Sequence, residues 1–446
     1  MKRLFSLLLV GLAAASWPAA AGASPVLVAA DPAHIEVVQV QGMIDPVVAG
    51  LITGSLRRAG GNGATLVILQ VDSPGALDIT TLPVLEAVVG SPVPVALWVG
   101  QGKAQARGLA AALALAADAV AVSPAATVGP LAPLRLDRPT PDGEVQVALS
   151  LAGLGGAGAP ASRLLHGRVR GQEAVDAGVA DFLAATLGDV LVGLEGRPAR
   201  VGSGPSAHEV RLSTVRVVPT KEGPRQTANQ PVSFLKPGTF ASVQHSLTSP
   251  AVAYLLLVVG LALAVFEFFT IGVGLAALTG AGALAGAFFG FSHLPVAPWA
   301  AGLIVLSTFG FAVDVQAGSL GFWTAVGVLG FLAGSFGLYG GSSVLDVPLW
   351  LIVLGLVGQT VFMLGGMTVA VRNRFSVPTV GRDSMIGEVG EARTDLDPDG
   401  VVTVRGAPWR ARTHRGRPVA AGLPVRVVAV DRLVLEVEAG EPGPGV

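Results

Sequence analysis

No cysteine occurs anywhere in these 446 residues. That absence removes disulfide bridges, thiolate nucleophiles and cysteine-ligated zinc together. Lysine is nearly as scarce, with only Lys2, Lys103, Lys221 and Lys236 in the chain. Charged residues make up 13% and the net charge is −1, so there is no global basic field to attract nucleic acid. The histidines form no H-E-x-x-H or comparable cluster, and neither a metal site nor a cofactor is expected. Ser, Thr and Cys are all missing from Pro92 to Val122, and Lys and Arg are missing from Pro237 to Val371.

The second gap coincides with long apolar runs. Five segments, at 250–270, 273–292, 297–314, 319–339 and 347–371, each approach the ~20 residues a helix needs to cross a bilayer. "TIGVG" is a weak break between the first two, which leaves four spans as the alternative. Arg372 and Arg374 follow the last segment and predict a cytoplasmic C-terminal side. At the other end, residues 1–23 read as an export signal: Lys2 and Arg3, the apolar "LFSLLLVGLAAASW", then Ala21-Gly22-Ala23. An uncleaved anchor is the alternative, and either places the following segment outside. A multi-pass protein of the plasma (inner) membrane is expected, its N-terminal domain extracytoplasmic and its C-terminal domain cytoplasmic.

Within the apolar region the acids are Glu267, Asp314 and Asp346. An ionisable group at membrane depth is by default a functional candidate. Glu267 and Asp314 fall near predicted span ends, so an interfacial or helix-packing role is preferred to conduction. The glycines of "GLAALTGAGALAGAFFG" suit close helix approach in the lipid bilayer, hence a compact bundle or a homo-oligomer.

Residues 24–200 alternate short apolar strands ("HIEVVQV", "ATLVILQV", "VPVALWV", "DAVAV") with helices ("PVVAGLITGSLRRAG", "TTLPVLEAVVG", "AQARGLAAALALAA"), the pattern of an α/β domain with a mainly parallel sheet. Residues 201–248 are polar and rich in Pro, Gly and Ser, which predicts a linker or loose juxtamembrane segment. Residues 380–440 hold five short β-rich runs punctuated by Gly, Pro and Asp, as in a small OB-like barrel. The fold class is thus a multidomain membrane protein: an α/β domain, an all-α transmembrane bundle at 249–373 and an all-β barrel. On the barrel, "RGAPWRARTHRGR" places Trp409, Arg410 and Arg412 among further arginines and His414. A solvated barrel face with Trp409 in the core, a protein-contact surface and attraction to anionic lipid are the readings; nucleic-acid binding is unlikely for a tethered barrel beside the acidic "EARTDLDPDG".

Three stretches resemble the NfeD family in its long form, which has a ClpP/crotonase-like domain, a membrane bundle and an OB-like domain. "LVILQVDSPGALDI", "SPAATVGPLAPL" and "EAVDAGVADFLA" are similar to motifs of its protease-type domain. "TSPAVAYLLLVVGLALAVFEFFTIGVG" and "VDVQAGSLGFWTAVG" follow its membrane pattern, and "MIGEVGEARTDLDPDGVVTVRGAPWRA" resembles its C-terminal signature. The resemblance implies a serine protease with a Ser–Lys dyad, and a stomatin/flotillin-type (SPFH) membrane protein as partner.

The chemistry such a dyad needs is missing. A serine hydroxyl requires a base, for which a desolvated lysine serves. Aligned on these motifs, the nucleophile position is Gly108 and the residue before it is Arg107. Downstream, where the resemblance puts the lysine, "DGEVQVALSLAGLGGAGAPASRLLHGRVRG" contains none. Lys103 precedes Gly108, as a solvated loop charge or an anion contact. The turn to which the resemblance assigns oxyanion donors keeps Gly75 and has Ala76 in place of a second glycine; a turn kept for packing is preferred to a partly surviving oxyanion cradle. A relocated triad would draw on Ser73, Ser123, Ser150 or Ser162 with His34, His166 or His208, but none of these serines lies in a nucleophile-elbow pattern. A membrane scaffold with a degenerate ClpP-type domain is therefore expected. The alternatives are an active membrane-bound serine endopeptidase with a relocated nucleophile, and a transporter resting on the intramembrane acids.

Overall fold

The computed structural model describes residues 32–151, 159–202, 207–220, 223–269, 274–317, 321–340, 342–370, 382–413 and 417–440. The export signal, Arg372, Arg374, His414 and Arg415 lie outside the described residues.

The α/β domain begins with β1 (His34–Gln41), α1 (Pro46–Ala59), β2 (Ala64–Asp72), α2 (Leu82–Val89), β3 (Val95–Val99), β4 (Gln105–Ala106), α3 (Leu109–Ala116) and β5 (Ala119–Val122). It continues through β6 (Thr127–Val128), α4 (Asp142–Leu151), α5 (Ala159–Leu164), β7 (Val169–Arg170), α6 (Gln172–Asp176), β8 (Phe182–Leu183) and α7 (Leu187–Leu194). Then come β9 (Pro198–Val201), β10 (His208–Arg211), β11 (Val215–Thr220), β12 (Gly223–Ala228), β13 (Val232–Leu235) and α8 (Thr239–Leu247). Six strands form one parallel sheet in the order β13-β1-β2-β3-β5-β8.

Covered on both faces, such a sheet needs strands apolar at every position. Val38, Val40, Leu69, Val71, Leu97 and Val99 join one core with α1 and α3, while Ile35, Val37, Leu66, Ile68, Ala96 and Trp98 join a second with α7. The period of two thus splits one apolar run between two cores. Helix α1 starts where Asp45 accepts the Val48 N–H at 3.0 Å with Pro46 at the first position, a combination that satisfies an orphan donor and presets φ.

Two expectations need correction here. Residues 104–107 do not open the helix; β4 lies there, and α3 begins only after Gly108. Nor is 201–248 a loose linker. The β9–β10 and β11–β12 pairs, β13 and α8 fill most of it, and β13 pairs with β1 as the sheet's edge, with Ile35 N–H donating to Pro231 O at 2.9 Å. Edge strands and short hairpins face water on one side, so they need few apolar residues and read as polar chain.

Five helices follow: α9 (Pro250–Phe269), α10 (Leu275–His293), α11 (Pro298–Ala317), α12 (Phe322–Gly337) and α13 (Leu349–Val361). Each of the five expected segments corresponds to one of these helices, yet among the described residues four helices are long and apolar enough to cross a bilayer, the last of them running on as Leu349–Ala370. Helix α12 has 16 residues, about 24 Å at 1.5 Å per residue, short of a ~30 Å hydrocarbon core. It packs along α11 at glycine contacts: a Cβ on Gly334 would lie 2.7 Å from Ala300 O, so any side chain there forces the helices apart.

The C-terminal unit is a closed five-stranded barrel of β14 (Val389–Ala392), β15 (Asp399–Val404), β16 (Ala407–Thr413), β17 (Pro424–Asp431) and β18 (Val434–Ala439), in the order β14-β15-β16-β18-β17. Every pairing is antiparallel except β16 with β18, the topology of an OB barrel.

Candidate functional site

Strand β2 ends in the turn Ser73-Pro74-Gly75-Ala76, which β4 braces: Ser73 N–H donates to Gln105 O at 2.7 Å and Arg107 N–H to Ser73 O at 3.0 Å. Gly75 carries the unusual backbone, with φ of +141°, while Ala76 stays out of the left-handed region. The alanine therefore sits here without strain. Ser73 Oγ turns inward on Gly75, donating to its carbonyl at 3.3 Å.

Gly108 caps the N-terminus of α3 with φ of +56°. Its N–H donates to Pro130 O at 2.8 Å, and a Cβ would lie 2.7 Å from Pro133 O and 2.9 Å from Leu134 O. A side chain is opposed both by conformation and by space. The next N–H, that of Leu109, donates to Leu134 O at 3.1 Å; the Ala76 N–H points to the same oxygen at 3.4 Å. Two backbone N–H groups from separate elements thus converge on one carbonyl. Leu136 N–H returns a bond to Ala76 O at 2.8 Å, in parallel β fashion.

Residues 134–136 are anchored from behind. Thr140 Oγ accepts the N–H groups of Leu134 and Arg135 at 3.0 and 3.4 Å. The Arg135 guanidinium reaches Ile79 O at 3.3 Å and Glu144 at 3.4 Å, and Glu144 accepts the Thr81 hydroxyl at 2.6 Å.

The other candidates are scattered. Lys103 is exposed in the turn before β4, and Arg107 is half-buried. Ser123 is buried at the end of β5, Ser150 donates to Val147 O on α4 at 2.8 Å, and Ser162 is exposed on α5. His34 opens β1, His166 follows α5 and His208 opens β10. None of these histidines lies on the 73–76 turn or at the start of α3. Among the described residues no His, Asp and Glu group could hold a metal ion.

A histidine outside that set makes the most connected polar cluster. His245 on α8 donates from Nδ1 to Asp45 at 2.8 Å and from Nε2 to Gln41 O at 3.1 Å, and the Thr248 hydroxyl also reaches Asp45 at 2.8 Å. Both ring nitrogens face oxygen acceptors, which only imidazolium satisfies. The hydrogen bond to Asp45 raises His245 above its ordinary value despite burial. Burial pushes the Asp45 carboxyl up, but bonds from His245, Val48 and Thr248 outweigh it and hold it low. The hydroxyl is on the carboxylate and not on the imidazole, so this is a clamp and not a nucleophile–base pair. A second tie joins His293 on α10 to Asp78 at 2.7 Å. Reading 201–248 as linker hid the first, although histidine three residues before a threonine, just ahead of an apolar helix, was visible.

In the bundle, Asp314 is buried and its carboxylate accepts the Gly321 and Thr324 N–H groups at 2.9 and 2.7 Å. From α11 it caps the N-terminus of α12. Glu267 is half-buried in the last turn of α9, and Asp346 is exposed in the loop before α13. On the barrel, β16 alternates: Trp409, Ala411 and Thr413 face inward, Arg410 and Arg412 outward. Trp409 packs on the barrel core, so it is not a surface residue like its neighbours. Arg412 pairs with Asp399 at 2.7 Å and Arg405 with Glu388, which neutralises part of the arginine cluster.

The fold is that of a multi-pass membrane protein carrying an α/β domain built on a parallel sheet and a closed five-stranded barrel. Residues 251–368 match the NfeD integral membrane domain, and residues 382–438 match the NfeD-like C-terminal, partner-binding domain. Membrane-bound protease PH1510 of Pyrococcus horikoshii is 23% identical over 422 residues, covering 90% of this chain and 92% of that protein. Among solved structures, the 1510-N membrane protease specific for a stomatin homolog from P. horikoshii shows 19% identity and a TM-score of 0.38, covering 48% of this chain and 97% of that one. The C-terminal domain of stomatin operon partner protein 1510-C from the same organism shows 36% identity and a TM-score of 0.14, covering 14% and 98%. The chain thus carries an NfeD membrane domain followed by an NfeD C-terminal domain, in the order expected of the long form.

Proposed function

We propose that this protein is a membrane scaffold whose ClpP-like domain has lost proteolytic chemistry and whose barrel docks a stomatin/flotillin-type membrane protein. One observation carries the first half: the position expected for the nucleophile is Gly108, which has neither a hydroxyl nor room for one beside Pro133 O and Leu134 O. The absence of a lysine between Lys103 and Lys221 removes the base as well. What remains is a donor pair that can hold a carbonyl but cannot cleave it. For the second half, the match of the barrel to a partner-binding domain supports docking, and its partly paired arginines favour a protein surface over nucleic acid. The α/β domain lies outside the cell membrane and the barrel inside, the bundle sits in the lipid bilayer, and copies of the chain associate through it.

A fluorophosphonate probe on the detergent-solubilised protein tests the loss of chemistry. No serine is expected to label. A labelled serine in the α/β domain would establish the competing reading, a serine endopeptidase with a relocated nucleophile.

A further inference from the structure

The donor pair formed by the Ala76 and Leu109 N–H groups is occupied. Leu134 O receives both the Leu109 and Ala76 N–H groups, Leu136 N–H donates to Ala76 O, and both leucine side chains are buried. An extended peptide held in such a groove would offer a carbonyl to the two donors, a backbone pair to the groove's edge and alternate apolar side chains to its floor. Residues 134–136 supply the carbonyl and the backbone pair, and their two leucines are buried in separate apolar clusters. Leu136 packs over Gly75, at 3.2 Å from where a Cβ there would sit. We propose that Leu134–Leu136 is an internal strand that closes the peptide groove of this domain, and that glycine stands at 108 because only glycine leaves space for that strand.

The second clause follows from distances. A methyl at 108 would meet the carbonyl oxygens of Pro133 and Leu134 at 2.7 and 2.9 Å. These are backbone atoms and cannot swing aside as a side-chain tip can. Either the strand leaves or α3 shifts; α3 is wholly apolar and six of its residues are buried, so the strand yields first. The ligand that would use the opened groove is an extended peptide that presents a carbonyl and an N–H in the places of Leu134 O and Leu136 N–H.

Although this closure rests on the scaffold reading, its test involves no chemistry. Hydrogen exchange of the full-length protein in detergent reads the amides of Ala76, Leu109 and Leu136. In the wild type they are expected to be protected like the neighbouring sheet. In Gly108→Ala, exchange in 73–77 and 131–138 should rise about tenfold or more while β1, β2 and β3 stay unchanged, the signature of local opening. Should Gly108→Ala not fold, Leu136→Ala removes the anchor from the other side and should give the same pattern. A synthetic peptide of residues 131–138 added to the opened variant should restore protection at Ala76 and Leu109. Open-chain exchange of these amides in the wild type would overturn the closure, as would a folded Gly108→Ala that keeps them protected or a peptide that protects nothing. Probe labelling, by contrast, reports only on the lost nucleophile.

Discussion

At the scale of single residues, the polar groups that stand out are ties, and the strongest of them has a defined pH window. Asp45 and His245 join the start of α1 to α8. His245 is raised in the fold, so its contribution is complete below about pH 6.5 and fades as pH climbs through the higher folded value. Asp45 is lowered, so its contribution is complete above about pH 4 and is lost as pH falls through the depressed value. The clamp is strongest between those limits. Removing either partner, as Asp45→Asn or His245→Ala, should cost about 1–3 kcal/mol at pH 6, in line with charged hydrogen bonds that are partly buried. Melting curves measured from pH 4 to 9 should then lose their dependence on His245 in the alanine variant; an unchanged alkaline limb would show that another group sets it. Gly108 is a different case. Its missing side chain was plain in the sequence, but its positive φ and the carbonyls against it came from the turn at 133–134.

Elements follow local rules more closely than sites do. The strands of the parallel sheet were legible because both faces are covered, so each reads as a continuous apolar run. Strand β13 was not, because an edge strand need satisfy only one neighbour. The helices of the bundle were visible as apolar runs, whereas the start of α12 at Phe322, capped by Asp314, was not. That cap distinguishes a structural acid from a conducting one. Asp314→Asn keeps an oxygen that can accept both N–H groups, and its melting temperature should stay near wild type. Asp314→Ala leaves them unsatisfied at the helix start and should melt several degrees lower. Equal destabilisation by both variants would mean that the charge matters and not the cap.

For the whole molecule, the organisation is modular, and the modules predict separable losses. Deleting residues 380–446 should leave a folded, membrane-inserted protein, because the barrel has its own closed sheet and core. Co-purification from membranes, with and without that segment, should show SPFH-type proteins following the full chain alone; equal recovery by the truncated form would move the docking surface elsewhere. The sequence by itself determined which reactive groups are absent: no thiol anywhere, no hydroxyl side chain from 92 to 122 and no lysine from 104 to 220, since reactive groups cannot be supplied by folding. It also determined the three classes of module, through the period of their apolar residues. Only the tertiary structure decided where the polar backbone atoms go. The carbonyl of Leu134 lies 25 residues beyond Leu109 and 58 beyond Ala76 in the chain, and no pattern in side chains announces that their N–H groups meet on it. Side-chain chemistry is written residue by residue, but a hydrogen bond between distant peptide groups exists only once the chain has packed.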